Sequence, residues 1–275
     1  MKTVRDALIL LVACFFALMW GLYLREHIPT ETGTTLKPDY ESLLPEGQTK
    51  RKTVMGIYMS GERRGKTVTE FKKTESGTIT VESLTQLELG DLKKIVIPGG
   101  KTVDVNFRAT ISPLTGLRTI SLTSKSLGTS LLGRRQEDVL KLDGNVAGQK
   151  IHSKVPFESE PILSQTFSPL AGLPDLGRVD EGRVWTIHVV NPLLGSVKSV
   201  KIRHAKIKNV TVDGEQYQLH RLDMKMGTHI WEAWVRPDGE VLYQGTPFGL
   251  SLLRENIGKD WQQALGKVMG TKPGH

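Results

Sequence analysis

From about residue 52 the chain repeats one pattern. Short runs of alternating apolar and polar residues, rich in Val, Ile and Thr, are separated by turns bearing Gly, Pro and Asp. A period of two sends successive side chains to opposite faces, so each run reads as a half-buried strand. Residues 54–59 (VMGIYM), 66–71 (KTVTEF) and 78–84 (TITVESL) open the series, and 92–97, 103–111, 117–124, 138–142 and 146–155 continue it. Gly61 to Gly65 and Glu75-Ser76-Gly77 read as hairpin connections. Pro98-Gly99-Gly100, Pro113 to Gly116 and Asp143-Gly144 carry turn chemistry. Strands spaced by about 8–12 residues with no helical period between them predict a mainly-β fold, a curled antiparallel sheet or an open β-barrel-like domain.

The rhythm breaks over 156–182, where Pro156, Pro161, Pro169 and Pro174 bracket an apolar stretch with a short helix expected near 162–170. It resumes at 184–190, 197–213, 216–224, 228–236 and 241–244, with hairpin turns at 212–215 and 236–239. The two halves permit either one curved sheet or two β units meeting near 156–182. Ile257, Trp261, Leu265 and Val268 recur at helical spacing and predict one short C-terminal amphipathic helix. Trp231 and Trp234 are three apart in a strand, so they point to opposite faces. One is expected in the core, the other exposed or lining a cavity or interface.

Ahead of the β region, Ala7 to Leu24 carries no charge. At 1.5 Å per residue its 18 residues span about 27 Å, close to the ~30 Å hydrocarbon core of a bilayer. Trp20 and Tyr23 sit near one end, as interfacial aromatics do. Lys2 and Arg5 precede the run and Arg25 follows it, which favours an N-terminus inside. A cleaved signal peptide and a lipidated Cys14, after Leu11-Val12-Ala13, are the alternatives. Phe15 to Leu24 stay apolar where a lipoprotein would turn polar, and no small-residue cleavage site follows. The expected organisation is a signal-anchor transmembrane helix over 1–25, a Pro- and Thr-bearing tether over 26–51, an extracytoplasmic β domain over 52–270 and a tail over 271–275. Tyr40, Leu43 and Leu44 could dock the tether on the domain. The expected location is the inner (cytoplasmic) membrane, with the bulk of the chain in the periplasm or exterior.

Motif chemistry is sparse. Cys14 is the only cysteine, which excludes an intrachain disulfide and any Cys-rich metal site. Gly61 to Thr67 resembles a phosphate loop, but it has one residue too few between its glycines and runs into a strand where a helix is needed. The histidines lack HxH, HxxxH and HExxH spacing, although His188, His204, His220 and His229 fall in successive strands that a sheet could bring together. No GxSxG elbow or SxxK is present. No cofactor and no catalytic residue is assigned, and a hydrolase with an unrecognised site is the minor alternative.

The net charge is +8. Its densest strand patch is 198–208 (KSVKIRHAKIK), where Lys198, Lys201, Arg203, Lys206 and Lys208 suit anionic headgroups or an acidic partner. For a chain tethered to a bilayer, lipid is the nearer anion and nucleic acid is not expected. Lysines guarding a sheet edge against strand pairing are the structural alternative.

The stretch Gly56 to Thr67, then Val210 to Leu222 and Ile230 to Leu242, resembles the DUF3108-like group of bacterial envelope β proteins, similar in shape to LolA and LolB lipoprotein carriers and to LptC-like domains. The resemblance covers roughly residues 53–255 and carries no catalytic residue. It implies a sheet curled around an apolar concavity able to hold acyl chains. The apolar loop 156–176 would be a lid, with Leu163, Phe167, Leu170 and Leu173 facing inward; the alternative is that these side chains plug the core. The function expected is non-enzymatic: binding a lipid or lipidated cargo in envelope biogenesis, with membrane lipid and other envelope proteins as partners. The alternative is a structural or interaction subunit of a membrane-spanning envelope complex.

Overall fold

The computed structural model describes residues 34–35, 43–44, 47–88, 102–112, 114–146, 148–156, 180–191, 196–246, 249–255 and 257–269. The chain divides into two compact units, Met1–Thr34 and Thr35–His275. The apolar run 7–24 lies outside the described residues, and among those described no helix is long and apolar enough to cross a membrane.

The strands are β1 (Thr34–Thr35), β2 (Lys50–Met59), β3 (Glu62–Lys73), β4 (Ile79–Glu88), β5 (Thr102–Ser112), β6 (Gly116–Ser124), β7 (Thr129–Gln136), β8 (Val139–Val146) and β9 (Gln149–Pro156). The second series is β10 (Val184–Asn191), β11 (Ser196–Val212), β12 (Glu215–Met226), β13 (His229–Val235), β14 (Val241–Gly245) and β15 (Leu250–Arg254), followed by helix α1 (Lys259–Met269). All belong to one 15-stranded sheet whose order, from β10, is β10-β11-β12-β13-β14-β15-β2-β3-β4-β5-β6-β7-β8-β9. The chain thus begins the main sheet in its middle. It runs outward as a meander to β9, resumes at β10 and returns until β15 pairs antiparallel with β2, Leu250 facing Met59 and Arg254 facing Met55. The sheet is open, since no pairing joins β9 to β10 among the described residues. A sheet this wide curls rather than lying flat.

Directly opposed residues share a face, and the pairings give that face a continuous inward row. Met55, Thr67, Thr85 and Val105 form one such row across β2–β5. Inward side chains of β3–β9, including Phe71, Val81, Phe107, Ile111, Leu117, Leu131, Leu140 and Val155, form the largest apolar cluster, joined by Leu43 and Leu44 from the segment before β2. Trp185, Ile202, Met224 and Trp231 belong to a second inward cluster in β10–β13. Met55, Ile57, Leu87, Leu250 and Leu252 make a third at the β15–β2 seam.

The other face is solvated over β3–β9 but covered over part of β11–β14 by α1. Ala264, Leu265 and Gly266 of the helix are buried, and Leu265 packs with Val210, Val212, Leu219, Trp234 and Leu242. Asp260 in the first turn and Lys267 in the last complement the helix dipole. Lys208 adds to this by donating from Nζ to the Val268 carbonyl at 3.1 Å.

Trp231 and Trp234 do face opposite ways, but both are buried, at 8% and 3% exposure, because α1 covers the outward one. The first hairpin turns at Ser60-Gly61, both at positive φ, so Arg63 to Gly65 lie inside β3. Asp143-Gly144 is no turn: both residues sit in β8, where a Cβ on Gly144 would come within 2.1 Å of the Ser130 carbonyl oxygen. Glycine there permits close strand approach. The sequence reading also misses β7, whose Leu131-Leu132-Gly133 interrupts the alternation. Gly133 is dictated by packing, since a Cβ would lie 2.5 Å from Ile120 Cγ1 and 2.8 Å from Leu142 Cδ2. β15, 5 residues long, is missed as well. The expected strand 92–97 lies outside the described residues.

Candidate functional site

The inner face is apolar with a polar band across it. On β3 and β4, Thr67, Thr69, Ser83 and Thr85 all point inward and are buried. Their hydroxyls satisfy one another: Thr85 Oγ1 donates to Thr67 Oγ1 at 2.9 Å, Thr69 Oγ1 to Ser83 Oγ at 3.1 Å, and Thr67 and Ser83 lie 3.1 Å apart. Thr53, opposite Thr69, adds a buried Oγ1 with no hydrogen-bond partner. β-branched threonine suits the strand backbone, but a buried hydroxyl costs free energy unless paired. The band separates the large cluster from the seam cluster, so the interior offers apolar walls and a hydroxyl-lined stretch together.

Within the second inward cluster the indole Nε1 groups of Trp185 and Trp231 are buried and lack a hydrogen-bond partner. Trp185 faces Ile202, Ile202 faces Met224 and Met224 faces Trp231, one cross-strand row with an indole at each end. Both indoles are donors only.

A third feature depends on one extra residue. The β11–β12 register shifts between His204 and Lys206, leaving Ala205 as a bulge. Before it His204 faces Leu222; after it Ile207 faces His220. The bulge brings His204 and His220 to the same face, where both are buried. Their rings stack with centroids 4.9 Å apart, and His220 Nδ1 lies 2.9 Å from His204 Nε2. His204 Nδ1 lies 3.0 Å from the Asp180 carbonyl oxygen. Backbone bonds from Gly182 N to the His204 carbonyl and from His204 N to the Arg183 carbonyl hold this turn to β11, and Glu181 Oε1 accepts from Ile207 N. Among the described residues no group of three or more His, Cys, Asp or Glu is placed to hold a metal.

The same bulge orders the basic strand. Lys201, Arg203, Lys206 and Lys208 face Lys225, Asp223, Arg221 and Leu219, and so share the outer face. Without the extra residue, 201 and 203 would alternate away from 206 and 208. Lys198 lies in β11 opposite Val189. Arg203 bonds Asp223 at 2.9 Å, and Arg221 reaches Asp223 at 2.9 Å and Glu232 at 3.0 Å. Lys208 is absorbed by α1 and by the Trp234 ring, 5.7 Å from its centroid. Leu163, Phe167, Leu170 and Leu173 lie outside the described residues.

On the outer face of β2–β6 a shallow open groove of about 500 Å³ includes Lys52, Glu70, Glu82, Leu84 and Arg108 in its lining. Glu70, Glu82 and Arg108 of its lining belong to an ion-pair ladder: Lys50–Glu70, Lys72–Glu70 at 2.8 Å, Lys72–Glu82 at 3.5 Å and Arg108–Glu82 at 3.3 Å. Hydrogen bonds from Lys50 and Lys72 hold the Glu70 carboxyl down from 4.5 to about 2. Each of the three cations in this ladder bonds at least one carboxylate.

No family model matches the chain, and no curated protein matches it. Among solved structures it is similar to a crystal structure described as a beta-barrel-like protein of a domain of unknown function, DUF1849, from Brucella abortus. That chain is 8% identical, with 81% of this chain and 97% of that one covered and a TM-score of 0.49.

Proposed function

We propose that this chain is a non-enzymatic envelope protein that binds a lipid, or the lipid part of a cargo, against the inner face of its open sheet. The observation that supports this is the make-up of that face. Apolar clusters line it from β3 to β9 and again from β10 to β13, a buried hydroxyl band interrupts them, and no pairing among the described residues closes the sheet between β9 and β10. An acyl chain needs an apolar wall, its polar end needs hydrogen-bonding groups, and entry needs an edge that is not sealed by a strand ladder. The run 7–24 would hold the protein at the membrane that supplies the lipid.

A second reading, an interaction subunit of an envelope complex, is favoured by how fully the inner side chains bury one another: Ala109, Leu117 and Leu140 have no exposed surface. One experiment separates the two. The full chain would be expressed with a photo-reactive fatty acid supplied to the cells, irradiated, purified and mapped by peptide mass spectrometry. Cross-links in β5–β9 or β10–β13 are the expected result. Cross-links confined to 7–24 would sink the binding reading and leave the interaction subunit.

A further inference from the structure

The outer face of β11–β13 gathers cations beside an exposed aliphatic side chain. Lys201, Lys225 and Ile230 form one cross-strand row, Arg203, Asp223 and Glu232 the next, and Lys206 and Arg221 stand in the third. Five cations therefore share the patch with two carboxylates, Asp223 and Glu232. Those two are engaged by Arg203 and Arg221, and Lys201, Lys206 and Lys225 make no ion pair among the described residues. By contrast, Lys50, Lys72 and Arg108 on β2–β5 each bond a carboxylate.

The edge-guard explanation does not cover this patch. Lys201 and Arg203 are flanked by β10 on one side and β12 on the other, and Lys225 and Arg221 by β11 and β13. Interior strands need no protection against further pairing. Ile230 is the second feature. It is 70% exposed, stands opposite Lys225 and belongs to the hairpin whose tip is Gly227-Thr228. An aliphatic side chain held in water beside a cation row fits a surface that is anionic outside and apolar just beneath. Single-stranded nucleic acid would call for aromatic platforms among the cations. The patch rows contain none that is exposed, Trp234 being under α1.

We infer that the outer face of β11–β13 docks on an anionic lipid bilayer, with Lys201, Lys206, Lys225, Arg203 and Arg221 on the headgroups and Ile230 entering the acyl boundary. This surface is separate from the inner face invoked above, and its failure would leave that reading standing. Attraction of this kind amounts to about fivefold in surface affinity per cation and falls off within a Debye length, so it is lost in high salt.

The test uses the full chain with Cys14→Ala and Thr228→Cys, labelled at the hairpin tip with an environment-sensitive fluorophore. The labelled chain is placed in nanodiscs of phosphatidylcholine alone or of phosphatidylcholine with a third phosphatidylglycerol. The segment 7–24 is common to both, so a difference between discs reports the domain surface. A blue shift on anionic discs, absent on neutral ones and abolished by molar salt, is expected. It should be lost in the Lys201→Glu/Lys225→Glu chain and reduced in Ile230→Ser. Equal emission on the two discs overturns the inference, as does a shift that the double charge reversal retains. If the reversal chain loses its far-ultraviolet β signal, the salt titration of the labelled parent decides, and a salt-insensitive shift overturns the inference equally. Retention of an acidic protein with no disc-dependent shift would likewise reject a lipid occupant.

Discussion

The chemistry of His204 and His220 fixes more than their proximity. A carbonyl oxygen only accepts, so His204 donates from Nδ1 to Asp180. In the neutral ring Nε2 is then an acceptor, and His220 donates to it from Nδ1. The hydrogen-bond chain thus runs from β12 through β11 to the turn that begins β10. Replacing His204 by Ala removes two hydrogen bonds, opens a cavity and strands the Asp180 carbonyl. The expected cost is about 2–4 kcal/mol, read as a lowered urea midpoint. A change below about 0.5 kcal/mol would mean that the turn is held by its backbone bonds alone. The sequence shows histidines in successive strands and offers no spacing rule to pair them. In an unbroken hairpin turning at Asp213-Gly214, His204 would sit opposite Asp223, which puts His220 on the other face. Only the bulge at Ala205 reverses that, and an alanine inside KIRHAKIK gives no sign of a bulge.

At the scale of the element, period-two alternation makes most strands visible because each has one face in the core and one in water. Where that asymmetry fails, the signal fails. β7 carries Leu132 outward at 40% exposure beside inward Leu131. β13 is buried on both faces because a helix far along the chain covers Trp234. The candidate sites were legible to the same degree: the basic strand is plain in the sequence, but its single-faced arrangement depends on register.

The ladder on β2–β5 is the opposite case, with surface charge that alternates and pairs. Hydrogen bonds from Lys50 and then Lys72 lower the Glu70 carboxyl to about 2 from 4.5 in the unfolded chain. A depressed carboxylate stabilises the fold above its unfolded value, and that contribution is lost as pH falls through the folded one. Urea midpoints of the native chain should therefore fall between about pH 4.5 and about pH 2, and Glu70→Gln should flatten that part of the profile. Identical profiles for the two chains would show that solvent screens the pair to insignificance.

Across the whole molecule, the meander β2–β9 and the meander β10–β15 meet, among the described residues, where β15 pairs with β2, and the other pairings from β2 to β15 run between strands consecutive in the chain. That joint is reinforced on both faces. Inside, Leu250 and Leu252 pack with Met55 and Ile57. At the turn before β14, Glu240 takes Arg254 at 2.6 Å, Arg236 at 2.9 Å and Arg51 of β2 at 3.6 Å. Burial lowers the pKa of Arg254, and the Glu240 carboxylate works against that shift. Outside, Arg63 of β3 makes two hydrogen bonds to Glu255, at 2.6 and 2.9 Å. The pair passes over Gly56, where a Cβ would lie 2.3 Å from Glu255 Oε1. A sheet assembled in this way should not depend on the covalent link between β9 and β10. With a protease site placed between residues 157 and 179, the cut chain should elute from size exclusion as one species and retain its β circular dichroism. Leu252→Asp buries a charge at the joint, an error costing several kcal/mol, so it should let the cut halves separate while the uncut chain stays in one piece. Separation of the cut native chain without denaturant would mean that the joint contributes little, and that the connection after β9 holds the halves together.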